Sequence, residues 1–222
     1  MDNLLRFVKN QKYLVFDTET EGLNLVKHQP YQISWILYEG DREISRHNKF
    51  IKGCVITKGA AKVTKIDVDY YKDNAEDPLV VYNDFAKYLF DTSIIPVAHN
   101  LLAFDVYMIR NLQKKCKMPV DFSYLQRSID TKALATALFK GVDFNPHDPN
   151  NFLEWQYKMA DLVEKGLKTN LELMLKHYDI PYDKERLHEA LYDVEMLNLI
   201  FQKIIWNIEV PNLLSSVNYA HL

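Results

Sequence analysis

Apolar runs come early in the chain and helical periodicity comes later. Residues 13–19, 31–38 and 43–51 read as strands, the first opening on the apolar run Tyr13–Phe16. Glu39, Gly40 and Asp41 form a turn signal between the second and third, so an antiparallel meander is expected. "VVYNDFAKYLF" (80–90) reads as an amphipathic helix and "IIPVAHN" (94–100) as a fourth short strand. "LLAFDVYMIRNLQKKCK" (101–117) reads as a helix with lysines in its last turn, where they suit the dipole, and Pro119 as its stop. "SIDTKALATALFK" (128–140) is another, with Asp130 or Ser128 as N-cap. Residues 141–152 are polar and hold two prolines, a loop. Helical patterns resume at 152–166 and 169–180 and end in the strongest, "RLHEALYDVEMLNLIFQKIIW" (186–206). Strands first and alternating helices later, with no repeat and no dividing linker, predict one mixed α/β domain, a sheet flanked by helices. Its core is expected at about 12–205, with a tail at 206–222.

Against this pattern four carboxylates are misplaced. Asp17 and Glu19 sit two apart at the end of a buried strand, so they share a face and raise each other's cost of ionising. Leu101, Phe104, Met108, Ile109 and Leu112 make a core-facing stripe, and Asp105 falls inside it. Asp193 lies on the apolar line of Ala190, Leu197, Ile200 and Ile204, whereas Glu195 falls on the polar side. Each alone has a plain structural reading: a strand-end cap, or an ion pair with a lysine or arginine elsewhere. Together they suggest metal, because buried charges are paired or bound to ions and all-oxygen ligands select Mg2+ or Mn2+. Two such ions about 3.5–4 Å apart suit in-line displacement at phosphorus.

The 222 residues are 48% hydrophobic and 13% aromatic, enough for a sizeable core. A net charge of -3 argues against holding nucleic acid by bulk charge, but not against a site that meets a polyanion through metal. Cys54 and Cys116 fit no metal motif and suggest a reducing compartment. No segment reads as a membrane span or secretory signal, so the expectation is a soluble cytoplasmic protein.

"FDTETEGL", "HNLLAFD" and "HEALYD", in that order, resemble the three motifs of the DEDDh-type 3′→5′ exonucleases, the proofreading-exonuclease branch of the ribonuclease H-like superfamily. "GAAKVTKID" (59–67), "SIDTKAL" and the block from 171 to 197 extend the likeness over roughly 12–205, most weakly at 141–168. The resemblance implies a ribonuclease H-like mixed sheet, three antiparallel strands leading into parallel ones. It implies Asp17, Glu19, Asp105 and Asp193 as ligands of two divalent cations, Mg2+ or Mn2+, and His188 as the base that takes a proton from the attacking water. The sister subclass has a tyrosine four before the last Asp. Here that position is Glu189, and Tyr192 is the nearest tyrosine. Leu23 matches an apolar wedge against the terminal base. Phe104, Thr18 and Asn100 complete the expected substrate contacts. Glu21 departs from the pattern, where a small hydroxyl residue is usual. It would either disfavour phosphate approach or point to solvent. Lys114, Lys115 and Lys117 are candidate backbone contacts.

The expected function is release of nucleoside 5′-monophosphates from a single-stranded 3′ end, DNA ahead of RNA. An RNA-preferring exoribonuclease is the alternative within this chemistry. From another class comes a catalytically inactive nucleic-acid or polymerase-binding module. A polymerase or other replication or repair protein is a further expected partner, for which "VPNLLSSVNYAHL" is a candidate docking segment.

Overall fold

The structure is a computed structural model that describes residues 3–147, 151–162, 164 and 166–214. Its centre is β1, Lys12–Thr20, whose apolar residues are buried on both faces. Tyr13 and Val15 point into one core and Leu14 and Phe16 into another. β2 (Pro30–Glu39) and β3 (Arg42–Ile51) follow as the expected meander, turning at Gly40, which takes the left-handed φ of +61°. β5 (Ile94–Ala98) pairs with β1 in parallel, and the sheet order is β4-β3-β2-β1-β5-β6. β4 (Ala75–Glu76) and β6 (Ile129–Asp130) are two-residue parallel edges.

Register opens the site. β1 pairs with β5 only from Lys12↔Ile94 to Val15↔Val97. With β2 it continues through Asp17↔Ser34 and Glu19↔Gln32. The last turns of β1 therefore project past the end of its parallel neighbour, the kind of crevice where open α/β sheets bind ligands.

Helices cover both faces. α3 (Pro78–Leu89) and α4 (Val106–Lys115) pack on the Leu14/Phe16 side. α5 (Thr131–Lys140), α6 (Phe152–Ala160), α7 (Leu171–His177) and α8 (Ala190–Ile204) pack on the Tyr13/Val15 side. α1 (Lys58–Thr64) and α2 (Val68–Asn74) lie between β3 and β4 in the chain. Among the described residues no helix is long and apolar enough to cross a membrane, and Cys54 and Cys116 are free.

Several boundaries differ from the sequence pattern, mostly through left-handed residues. The helix expected from 101 begins as a π-turn, Leu101–Asp105, because Asn100 (φ +70°) turns the chain and the Asp130 carboxylate holds the N–H groups of Asn100 and Leu102. It ends at Lys115 before Pro119 is reached. Lys117 (φ +57°) turns back, and the N–H groups of Met118 and Lys117 bond to the carbonyls of Gln113 and Lys114. Asp130, not Ser128, caps α5, and Ile129–Asp130 is strand rather than helix. α7 ends at His177 ahead of left-handed Asp179 (φ +51°). Between 206 and 214 the chain packs: Val210 and Leu213 are buried, and Val210 accepts from the N–H of Leu5. Residues 215–222, the end of the candidate docking segment, lie outside the described residues, as do 148–150, 163 and 165.

Candidate active site

β1 and α8 bring three of the four carboxylates together. Asp17, Glu19 and Asp193 each offer an oxygen, all within 4.8 Å of one another. The pleat puts Asp17 and Glu19 on the α8 side, and Asp193 sits in the first turn of α8, where the dipole favours a negative charge. Asp105 lies outside this trio. It ends the π-turn, is 2% exposed, and its Oδ1 accepts a hydrogen bond from the Thr18 hydroxyl at 2.6 Å. Thr18, expected as a substrate contact, thus gives its hydroxyl to Asp105 and also lines the cleft beside the acids.

All four acids stand above the ordinary carboxylate range. Burial is the leading cause for each. It pushes Asp17 up to about 6, against the opposing pull of a backbone hydrogen bond at Thr18. Asp193 is pushed up to about 8 by burial and then by Asp17, while the His188 N–H pulls the other way. Glu19 is raised by burial and by the charges of Asp17, Asp193 and Asp105. Asp105 is raised by burial and Asp17, offset in part by Thr18. Among the described residues none of the four pairs with a lysine or arginine, so the ion-pair reading of these positions does not apply. A converging set of carboxylate oxygens without a cationic partner fits a hard divalent cation, which Asp17, Glu19 and Asp193 could hold.

Beside the acids runs a cleft of about 530 Å³, lined among others by Glu19, Leu23, Ala60, Val63 and Phe104. Leu23 is 84% exposed there. Phe104 belongs to the apolar stripe by spacing, yet it lines the cleft instead of joining the core.

The chain matches, over residues 14–201, the model of the family described as "RNase_T: Exonuclease". The chain belongs to this exonuclease family. In fold the chain resembles E. coli Exonuclease I in complex with a dT13 oligonucleotide, at a TM-score of 0.68 and 16% identity over 89% of this chain and 41% of that one. The same enzyme with dA16 gives 0.69 and 16% over 92% and 42%. An SSB/Exonuclease I structure with the inhibitor CFAM gives 0.68 and 15% over 93% and 44%. The chain thus spans about two fifths of the length of these neighbours. No curated protein matches it. The ribonuclease H-like sheet and the exonuclease family read from the three motifs are both borne out.

Other residues of the chain fall as follows. His188 is exposed, left-handed (φ +74°), and precedes α8; its N–H donates to both Asp193 oxygens at 3.2 and 3.3 Å. A left-handed non-glycine residue costs on the order of 1–3 kcal/mol and tends to mark functional sites. Tyr192 is buried, its hydroxyl accepting from the N–H of Asp183 at 2.6 Å, with Arg186 over its ring. Glu21 neither faces solvent freely nor meets the acids. Its carboxylate accepts from the N–H groups of Val55 (2.6 Å) and Gln29 (2.9 Å), tying two loops at the cleft mouth. Lys115 is spent on the Gly53 carbonyl and the Cys54 thiol. The Asn100 Oδ1 accepts from Lys132, a residue without a signal in the sequence pattern.

Proposed function

We propose that the chain is a metal-dependent 3′→5′ exonuclease that releases nucleoside 5′-monophosphates from a single-stranded end, DNA ahead of RNA, with residues 12–205 as one catalytic unit. The observation that carries this is the convergence of Asp17, Glu19 and Asp193 beside a cleft with exposed Leu23 and part-exposed Phe104. Structures of E. coli Exonuclease I with dT13 and dA16 add support for a single DNA strand as substrate.

In this reading Leu23 and Phe104 take opposite faces of the terminal base, where stacking contributes roughly 1–3 kcal/mol. Asp17, Glu19, Asp105 and Asp193 hold two divalent ions, Mg2+ or Mn2+. Such ions supply Lewis acidity and charge neutralisation at the phosphate when bound. His188 accepts a proton from the attacking water, the general-base task that histidine side chains perform most often. Its exposed position lets the ring swing toward the end of the strand, and its backbone N–H steadies Asp193 meanwhile.

End-labelled single strands incubated with Mg2+ or Mn2+ should shorten from the 3′ end, and chelator should stop this. Digestion indifferent to chelator, or none, defeats the proposal. His188→Ala should keep strand binding and lose roughly 10²–10⁴-fold in rate. Undiminished turnover would remove His188 from the mechanism.

A further inference from the structure

Resting on that reading, we propose that Lys132 and Asn100 form a subsite for an internucleotide phosphate of the substrate strand, upstream of the nucleotide in the cleft.

Lys132 is the second residue of α5. A cation in the first turn opposes the helix dipole, so this position asks for a reason. The side chain is partly buried, and among the described residues its ammonium has no carboxylate partner. The nearest acid in sequence, Asp130, is engaged by the backbone N–H groups of Asn100, Leu102 and Lys132 itself. The ammonium donates to Asn100 Oδ1 at 2.9 Å. An ammonium carries three donors, so two remain. A part-buried charge with donors to spare is suited to an anion.

The placement specifies which anion. Asn100 follows the end of β5 and Asp130 is the last residue of β6, on the sheet edge past which Asp17 and Glu19 project. The Asn100 carbonyl accepts from the N–H of Phe104 at 3.0 Å, so the pair stands one turn ahead of the cleft's aromatic wall. Between them Ala103 is exposed and presents a small surface over which a chain can pass. A strand with its last base at Phe104 and leaving over Ala103 brings a backbone phosphate to Lys132. The Asn100 amide NH2, held in orientation by Lys132, is a second donor to it.

The test measures binding separately from cutting. In an Asp17→Ala background, oligothymidylate affinity is followed by fluorescence anisotropy through a salt titration. One phosphate contact on a single strand contributes about 0.7 to the slope of log K against log salt. Lys132→Met should flatten the slope by about that amount and weaken binding roughly tenfold at low salt. Lys132→Arg, which keeps the charge, should restore the slope. A lysine that only props Asn100 would leave the slope unchanged, and that result overturns the subsite. Absence of strand binding by the Asp17→Ala protein overturns it too. A flattened slope in this background, alongside unsubstituted protein that cuts neither DNA nor RNA in Mg2+ or Mn2+, would keep the subsite and sink the exonuclease mechanism instead.

Discussion

Burial is the leading cause of the raised carboxyls of Asp17, Glu19, Asp105 and Asp193, and mutual repulsion comes second at all but Asp17. This has a sign that can be checked. An acid with a raised folded pKa still holds its proton at a pH where the unfolded chain has released it. The native state then binds more protons, so stability falls as pH rises. For Asp17 the window runs from the ordinary carboxylate range to about 6, and for Asp193 to about 8. Chelated protein should therefore melt at a higher temperature at pH 5 than at pH 8. Asp193→Asn should shrink that difference, and Mg2+ should raise the melting temperature more at pH 8 than at pH 5, because fewer of the oxygens carry protons there. Equal melting temperatures at the two pH values, unchanged by Asp193→Asn, would contradict the origin given for these shifts.

Among the described α-helices α1, Lys58–Thr64, is the one without a buried residue. Polar ties hold it: Thr57, its N-cap, donates to the Glu21 carbonyl, Tyr31 donates to Thr64, and Lys65 just after it reaches the Glu185 carbonyl and carboxylate. Yet Ala60 and Val63 wall the cleft. In hydrogen exchange its amides should open at least about 100-fold faster than those of β1, whose hydrogen bonds lie in the sheet, and should slow when an oligonucleotide binds. Protection of α1 equal to that of β1 in the free protein would count against a loosely held wall. The elements also show what a sequence can carry. β1, β2 and β3 are visible because their apolar residues repeat over enough positions to set a pattern. Asp105 and Asp193 are visible because a carboxylate on an apolar stripe violates one. The two-residue strands β4 and β6 are too short to have a period, and α2 buries only Tyr71. The π-turn at Leu101–Asp105 keeps the helical stripe while changing its geometry, so Phe104 reads as core and lines the cleft. The partners of Glu21 and Lys132 are 34 and 32 residues away, at Val55 and Asn100, and exist only once the chain is folded.

The whole molecule carries a net charge of -3 and gathers four acids at the edge where a polyanion is proposed to enter. At physiological ionic strength charges act over about 8 Å. A phosphate approaching Asp17 and Asp193 therefore meets them essentially unscreened, while most of the scattered surface lysines are too distant to compensate. Lys132 is one cation against four carboxylates. Strand binding should then depend on charge removal at this one place, whether by divalent ions or by substitution. Unsubstituted protein in chelator should bind oligothymidylate weakly at physiological salt. At about pH 9, above the raised range of both groups, the double variant Asp17→Asn/Asp193→Asn is two charges less negative and should bind it without any divalent ion and gain little when Mg2+ is added. Anisotropy titrations of the two proteins, each with and without Mg2+, separate this from a requirement for ion bridges between protein and phosphate. If the double variant still needs Mg2+ to bind, neutralisation is not enough, and the ions themselves must connect the acids to the strand.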